Sequence, residues 1–378
     1  MNDSNKLGLL SVNCFFIIKF APQKYHIFST IMPFQSRISA FYDLGQFFSF
    51  LTENEMDKKT DSAKFNYLKE EILTVLNLAE IQNPWFTQDN LKFCLEQWGK
   101  TLTSENLTNW VKNYSETKNP KNVGIVMAGN IPLVGLHDLI CVLLSGNNAL
   151  VKVSSKDEAL MDFVLNFLQN SNEDLKNSIQ KVERLKTADA VIATGSNNTA
   201  RYFEYYFKEI PHIIRKNRTS VAVLNGKETE EDLSKLAEDI FRYFGLGCRN
   251  VTKLYLPKGF NTDLLFESFF NWNHVINHTK YSNNYSYNRA IYLMGSETFL
   301  DNNFVMLKES GEIFSPIGVV NYEFYDDLDE VKIGLVQIEE EIQCVVGNDF
   351  SVQFGETQKP SLTDYADGVD VMEFLGGI

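Results

Sequence analysis

The sequence is short of the residues that build metal centres and disulfide frameworks. Its 378 residues include five cysteines and five histidines. Cys14, Cys94, Cys141, Cys248 and Cys344 are odd in number, widely spaced and without a Cys-x-x-Cys pair. That fits neither a disulfide framework nor a zinc site, and a reducing cytoplasm is the simpler compartment. His274 and His278 stand close in sequence but lack a third ligand type in a suitable setting, so no metal is expected. Positive charge is scarce as well. With 35 Lys and Arg against 49 Asp and Glu the net charge is −14. This excludes a broad nucleic-acid surface but leaves room for a local basic pocket that takes a phosphorylated small molecule. No run of about 18 apolar residues occurs, so no membrane-spanning helix is expected. Leu7 to Phe20 comes nearest, and with one lysine ahead of it and no small-residue cleavage site behind it makes a poor signal peptide. Residues 1–31 are expected to be a poorly packed leader, with Met32 as the natural start.

What is present is a globular composition, 44% hydrophobic, on a chain long enough for two domains. Helical spacing of Ile38, Phe41, Leu44, Phe47, Phe48 and Leu51 opens a helical region. A solvated stretch from Glu53 to Lys59 follows, then helices over 63–78 and 88–111. Trp85, Trp98 and Trp110 read as packing residues there. From Asn122 the pattern changes to short strands alternating with helices: strands at 123–127, 149–153 and 190–193, helices at 132–144, 158–168 and up to Phe207. Such alternation predicts a parallel sheet covered on both faces, with ligands at the carboxyl ends of its strands. Three polar or Gly-bearing loops lie at those ends, at 129–132, 152–156 and 194–197. No Gly-x-Gly-x-x-Gly follows a strand, so a bound dinucleotide would not be held by the usual fingerprint loop. A second unit begins near Thr219, and the tail from Phe354 to Leu375 is expected as extended chain folding back on the body.

Within the second unit, Leu233, Leu236, Ala237, Ile240, Phe241 and Phe244 recur at helical spacing behind Thr229, which with Asp232 suits a helix cap. The pattern stops in Gly245-Leu246-Gly247 and delivers Cys248 immediately before the β-like run Val251 to Leu256. A thiol in such a turn is open to close approach by a substrate and is a candidate nucleophile. A buried structural cysteine behind a helix end fits the same residues.

Five segments in order resemble the motifs of the aldehyde dehydrogenase superfamily: Gly129-Asn130-Ile131-Pro132, Gly146 to Ser154, Thr194-Gly195-Ser196, the glycine-flanked Cys248, and Glu312-Ile313-Phe314-Ser315-Pro316. Within it the chain is most similar to the long-chain acyl-CoA reductases of the bacterial luminescence type. Pro360 to Asp370 strengthens that placement, and the likeness runs from about Met32 to the C-terminus. It implies an α/β fold with two Rossmann-type parallel-sheet domains and an N-terminal helical segment. The divisions expected are 32–218 for the helical segment with the dinucleotide-binding domain, 219–346 for the catalytic domain, and 347–378 for a segment returning to the body. A small segment used in oligomerisation is implied, hence a homo-oligomer.

The resemblance also implies roles. Cys248 would attack a thioester, expel coenzyme A and hold the acyl group, which calls for a lowered thiol pKa. Asn130 would offer its amide, with the Cys248 backbone N–H, to the oxyanion; a turn residue is its bland alternative. Lys152 would contact the adenosine ribose and phosphate. No acid stands before Asp157, and Ser154, Ser155 and Lys156 suit a 2′-phosphate, so NADPH is favoured, with NADH the alternative. Gly195 and Ser196 would sit against the pyrophosphate, and Glu312 and Phe314 would hold the nicotinamide ribose and ring. A helix cap for Ser196 and a core aromatic for Phe314 are the competing readings. Hydrolytic relatives carry a water-activating glutamate in a Glu-Leu-Gly-Gly-type segment before the cysteine. Here that segment reads Ile213-Ile214-Arg215-Lys216-Asn217-Arg218, without a carboxylate. Arg215, Lys216 and Arg218 suit either phosphate binding or a solvated linker.

The implied activity is reduction of a long-chain fatty acyl-CoA, or of an acyl group handed over by an acyl-transferase or synthetase partner, to the fatty aldehyde. An acyl-phosphate reductase and a non-catalytic acyl-carrier or scaffold protein are the alternatives.

Overall fold

Four helices open the chain in the computed structural model, which describes residues 33–52 and 62–378. The leader expected at 1–31 and the solvated stretch at 53–59 lie outside the described residues. Helices α1 (Pro33–Thr52) and α2 (Ser62–Gln82) are followed by α3 (Gln88–Thr101) and α4 (Ser104–Val111). The helix expected over 88–111 is broken in two because Thr103 takes up an extended conformation and its hydroxyl accepts the Asn106 N–H, capping a new helix. Phe41, Leu44, Phe47 and Phe48 of α1 are fully buried, which is why the apolar spacing there was so regular.

The strands β1 (Asn122–Val126), β2 (Asn148–Lys152), β3 (Ile179–Lys181), β4 (Ala190–Thr194) and β5 (His212–Arg215) form an all-parallel sheet in the order β3-β2-β1-β4-β5. Helices α5 (Leu136–Leu144), α6 (Glu158–Ser171), α7 (Glu173–Ser178) and α8 (Asn197–Phe207) make the connections. Strand order reverses between β1 and β4, so the loops that leave these two strands flank a crevice. Helix α5 starts four residues later than the sequence pattern suggests. Leu133 sits at φ 53° and its N–H donates to a carboxylate oxygen of Asp157 at 2.8 Å, so the chain turns before it coils.

The second sheet joins β6 (Thr219–Val223), β7 (Val251–Pro257), β8 (Leu300–Asp301), β9 (Met306–Glu309), β10 (Val319–Tyr325) and β11 (Ile342–Val346) in the order β11-β6-β7-β10-β9-β8. Only the β8–β9 pair is antiparallel. Helices α9 (Glu230–Phe241), α10 (Asp263–Phe269), α11 (Thr279–Met294) and α12 (Leu328–Gln337) cover it. Strands β3, β5 and β8 escaped the sequence reading; each is at a sheet edge or next to one and has at most four residues. Among the described residues no helix is long and apolar enough to cross a membrane.

The tail is not purely extended. It closes with α13 (Val371–Gly376), whose Val371, Met372 and Leu375 join the core that contains α5. Its entry is pinned by Asp239 on α9: the carboxylate accepts the Gly355 N–H at 2.7 Å, and the Thr357 N–H and hydroxyl at 3.1 and 2.8 Å. Burial pushes this carboxyl up to about 6, against the three donors. The folded chain therefore holds the proton more tightly than the unfolded one, where the group titrates near 3.8. Its contribution to stability is greatest below that value and falls as pH rises to about 6, on the order of 3 kcal/mol in all. Urea unfolding of the wild type and Asp239→Asn at pH 4 and pH 7 checks this. The pH slope that separates them should point that way, and equal slopes would contradict the assignment.

Candidate active site

Helix α9 begins as the sequence suggests, with a reciprocal capping box between Thr229 and Asp232. It buries Leu233, Leu236, Ala237, Ile240 and Phe241. Beyond Phe241 the chain reverses through three successive left-handed residues, Tyr243 (φ 55°), Phe244 (φ 58°) and Gly245 (φ 76°). For the two aromatic residues that conformation costs about 1–2 kcal/mol each. Packing offsets it: the Phe244 ring lies 4.4 Å from His278 and 5.3 Å from Trp85, and Tyr243 is buried against Phe93.

The turn is fixed by a residue the sequence reading passed over. Asn250 is fully buried, and its amide donates to the carbonyls of Asp239, Ile240 and Arg242 at 3.0, 3.3 and 2.8 Å. Its Oδ1 accepts the Gly247 N–H at 2.8 Å. One side chain thus closes the end of α9 and holds the glycine before Cys248. The Ser220 hydroxyl on β6 donates to the Cys248 carbonyl at 3.0 Å.

Cys248 is half-buried, whereas Cys94, Cys141 and Cys344 are buried. It lines a cavity of about 170 Å3 whose apolar wall includes Trp98, Ile131, Leu133, Val134, Tyr243 and Leu362. Arg215, Asp138, His137, Arg249, Gln358 and Asp364 are among its polar residues. The Cys248 thiol is pushed up to about 11, chiefly by burial, with Arg249 pulling it down. The lowered value implied by the resemblance is therefore corrected: in this environment desolvation outweighs the neighbouring cation. Burial likewise lowers His137, whose Nε2 lies 3.0 Å from the Leu362 carbonyl.

The basic cluster at the end of β5 is divided among separate partners. Arg215, at the end of edge strand β5, is buried in a two-pronged pair with Asp138 on α5 at 2.5 and 2.8 Å. Lys216 pairs with Glu204, and Arg218 with Asp367 and the carbonyls of Glu339 and Ile342. Arg249 donates through Nε to the Thr357 carbonyl at 2.5 Å, so it anchors the tail.

Asn130 follows β1 and is exposed; its amide donates to the Leu246 carbonyl at 2.9 Å, two residues before Cys248. The first sheet's loop and the cysteine turn thus meet there. Lys152 ends β2 and is exposed, like Ser155 after it. Ser154 accepts the Lys156 N–H through Oγ, and a side chain on Gly129 would lie 2.5 Å from that oxygen, so the loops after β1 and β2 are in close contact. Asp157 is buried and turned to Leu133. Gly195 follows β4, and Ser196 caps α8 by accepting the Thr199 N–H. Glu312 and Phe314 are both exposed on the loop between β9 and β10. The Asn321 amide donates to both their carbonyls, at 2.9 and 3.0 Å, and the Thr252 hydroxyl on β7 to the Ile313 carbonyl at 2.6 Å. Buried Lys253 completes the support, donating to the Ser310 carbonyl and pairing with Glu323 at 3.0 Å. These buried polar supports carry no sequence signature beyond being polar residues within strand patterns.

The model for the family Acyl-CoA reductase (LuxC) matches residues 46–264, more than half of the chain. No curated protein matches the sequence. Among solved structures, an aldehyde dehydrogenase from Physcomitrella patens in complex with the reaction product succinate aligns with a TM-score of 0.58 at 11% identity, over 91% of this chain and 87% of that one. A Mycobacterium tuberculosis aldehyde dehydrogenase complexed with NAD+ aligns with a TM-score of 0.55 at 12% identity, over 83% and 73%. A NAD-dependent aldehyde dehydrogenase from Sinorhizobium meliloti gives 0.58 at 12%, over 86% and 72%. At these identities the likeness establishes the fold.

The environment of the thiol leads to a direct expectation. Alkylation of Cys248 by iodoacetamide in the ligand-free protein should rise about tenfold per pH unit between about pH 7 and pH 10 without levelling off. Arg249→Met should slow it at each pH. A plateau near pH 7 would show a thiolate already formed and contradict the raised pKa.

Proposed function

This chain belongs to the LuxC acyl-CoA reductase family, and from that premise we propose that it reduces a long-chain fatty acyl-CoA to the fatty aldehyde through a thioester on Cys248. An acyl group delivered by a transferase or synthetase partner would enter the same route. The supporting observation is the wall of the Cys248 cavity. Its apolar side chains suit an alkyl chain, and its two carboxylates are engaged: both Asp138 oxygens bind Arg215, and Asp364 accepts the Ser361 N–H and hydroxyl at 2.7 Å. Asp138 has no oxygen left for a water, and Asp364 is held by Ser361 through Oδ2, so an acyl thioester on Cys248 has no fully unengaged carboxylate beside it to serve as a base for hydrolysis.

In the acylation step Sγ of Cys248 bonds to the carbonyl carbon and the bond from that carbon to the coenzyme A sulfur breaks. The proton lost by Cys248 ends on the departing thiol, so one thioester replaces another without net proton release. The Cys248 N–H and the second Asn130 amide hydrogen would serve the oxyanion.

In this reading residues 32–218 hold the cofactor, 219–346 carry the nucleophile, and 347–378 close the cavity. The donors at the carboxyl ends of β1, β2 and β4 suit a dinucleotide: Lys152, Ser154 and Ser155 for the adenosine side, Gly195 and Ser196 at the start of α8 for the pyrophosphate. Glu312 and Phe314 would face the nicotinamide. The first acid beyond β2, Asp157, is buried against Leu133 and so is not offered to a ribose hydroxyl, which favours NADPH over NADH. When bound, the reduced nicotinamide supplies the hydride that takes the acyl group to the aldehyde level.

Purified protein with NADPH and a long-chain acyl-CoA should consume the reduced cofactor, and Cys248→Ala should fall to background. Absence of consumption at every chain length, or turnover with an acyl phosphate alone, would overturn the substrate assignment.

A further inference from the structure

Gln358 lies in the tail segment that covers the Cys248 cavity and forms part of its wall. It is 7% exposed, and its Nε2 has no hydrogen-bond partner among the described residues. A buried amide donor left without an acceptor is unfavourable, and native structures seldom retain one without a purpose. Nor is it there by looseness of the chain. The residue before it, Thr357, is held at its N–H and hydroxyl by Asp239 and at its carbonyl by Arg249. A second residue of the same wall also carries an unpaired donor: both terminal nitrogens of Arg215 are taken by Asp138, while its Nε is buried without a partner among the described residues.

We infer that Gln358 donates a hydrogen bond from Nε2 to the carbonyl oxygen of the acyl group as that group transfers to Cys248. The inference rests on the reading of Cys248 as acyl acceptor. An alkyl chain offers no acceptor, so within the acyl part of the substrate the carbonyl oxygen is the one atom that meets the need. Asn130, the donor implied by the sequence, is exposed and has one amide hydrogen left after the Leu246 carbonyl, so Gln358 would add a buried donor to those of Asn130 and the Cys248 N–H. When Sγ attacks, the carbonyl oxygen gains negative charge while the bond to the departing sulfur breaks. A preorganised, desolvated amide N–H favours that state over the ground state. The C-terminal tail would thus supply a catalytic residue to a nucleophile on the second sheet.

The test is single-turnover acylation followed by intact-protein mass, comparing wild type with Gln358→Met, which keeps the length of the side chain, and with Gln358→Leu. Two acyl donors are used, a long-chain acyl-CoA and the p-nitrophenyl ester of the same acid, together with dithiodipyridine, a thiol reagent that has no oxygen. Both variants should acylate about 10- to 100-fold more slowly with either donor, at an unchanged rate with dithiodipyridine. An unchanged acylation rate in either variant overturns the inference. So does slowing confined to acyl-CoA, which would move the acceptor to the amides of the coenzyme arm, and so does an equal slowing with dithiodipyridine, which would make Gln358 structural. Absence of an acyl adduct on the wild type would sink the reading of Cys248 itself, a result distinct from these three.

Discussion

The Asn250 side chain is the constraint on which the site depends. Helix α9 ends with unpaired carbonyls, and the chain must reverse within a few residues to enter β7. Three of those carbonyls are satisfied by one amide, and the same side chain accepts the N–H of Gly247, so the reversal and the presentation of Cys248 are a single event. The left-handed Tyr243 and Phe244 are tolerable only because this clamp and the surrounding rings determine them. Asp239 lies within the same last turns of α9 and holds the tail through Gly355 and Thr357. The nucleophile and the segment that covers its cavity are therefore referred to one helix end.

Much of this was legible in the chain. The α/β architecture followed from alternation of short apolar runs with 3.6-residue periodicity, and the Thr229 cap from its spacing to Asp232. The ordered motifs led to the family. Their loops do leave the carboxyl ends of β1, β2 and β4, and Asn130 does meet the cysteine turn. What was hidden was of three kinds. Edge strands such as β5 are too short to show a period, so Arg215 read as a phosphate-binding or linker residue and its burial against Asp138 did not show. Polar residues that brace the backbone, namely Asn250, Asn321 and Lys253, have no pattern because their partners are main-chain atoms distant in sequence. The thiol pKa was expected to fall because the role implied by the resemblance calls for a thiolate, yet burial, which a sequence does not display, raises it.

These features converge on one chemical character. A thiol in a partly apolar, enclosed site, with its nearby carboxylates bound to other groups, is suited to accept an acyl group from another sulfur and poorly suited to lose it to water. The exposed donors beyond β2 and β4 lie outside the cavity wall, which in the proposed function would leave the cavity to the acyl chain. Separation of that kind lets one nucleophile serve two ligands in turn.

The lifetime of the acyl adduct tests this account most directly. Protein mixed with a long-chain acyl-CoA, without any nicotinamide cofactor, should gain the mass of one acyl group on Cys248 and keep it far longer than a catalytic cycle. Addition of NADPH should then discharge it as aldehyde. Failure to form the adduct, or its rapid loss as free fatty acid before any cofactor is added, would contradict the account.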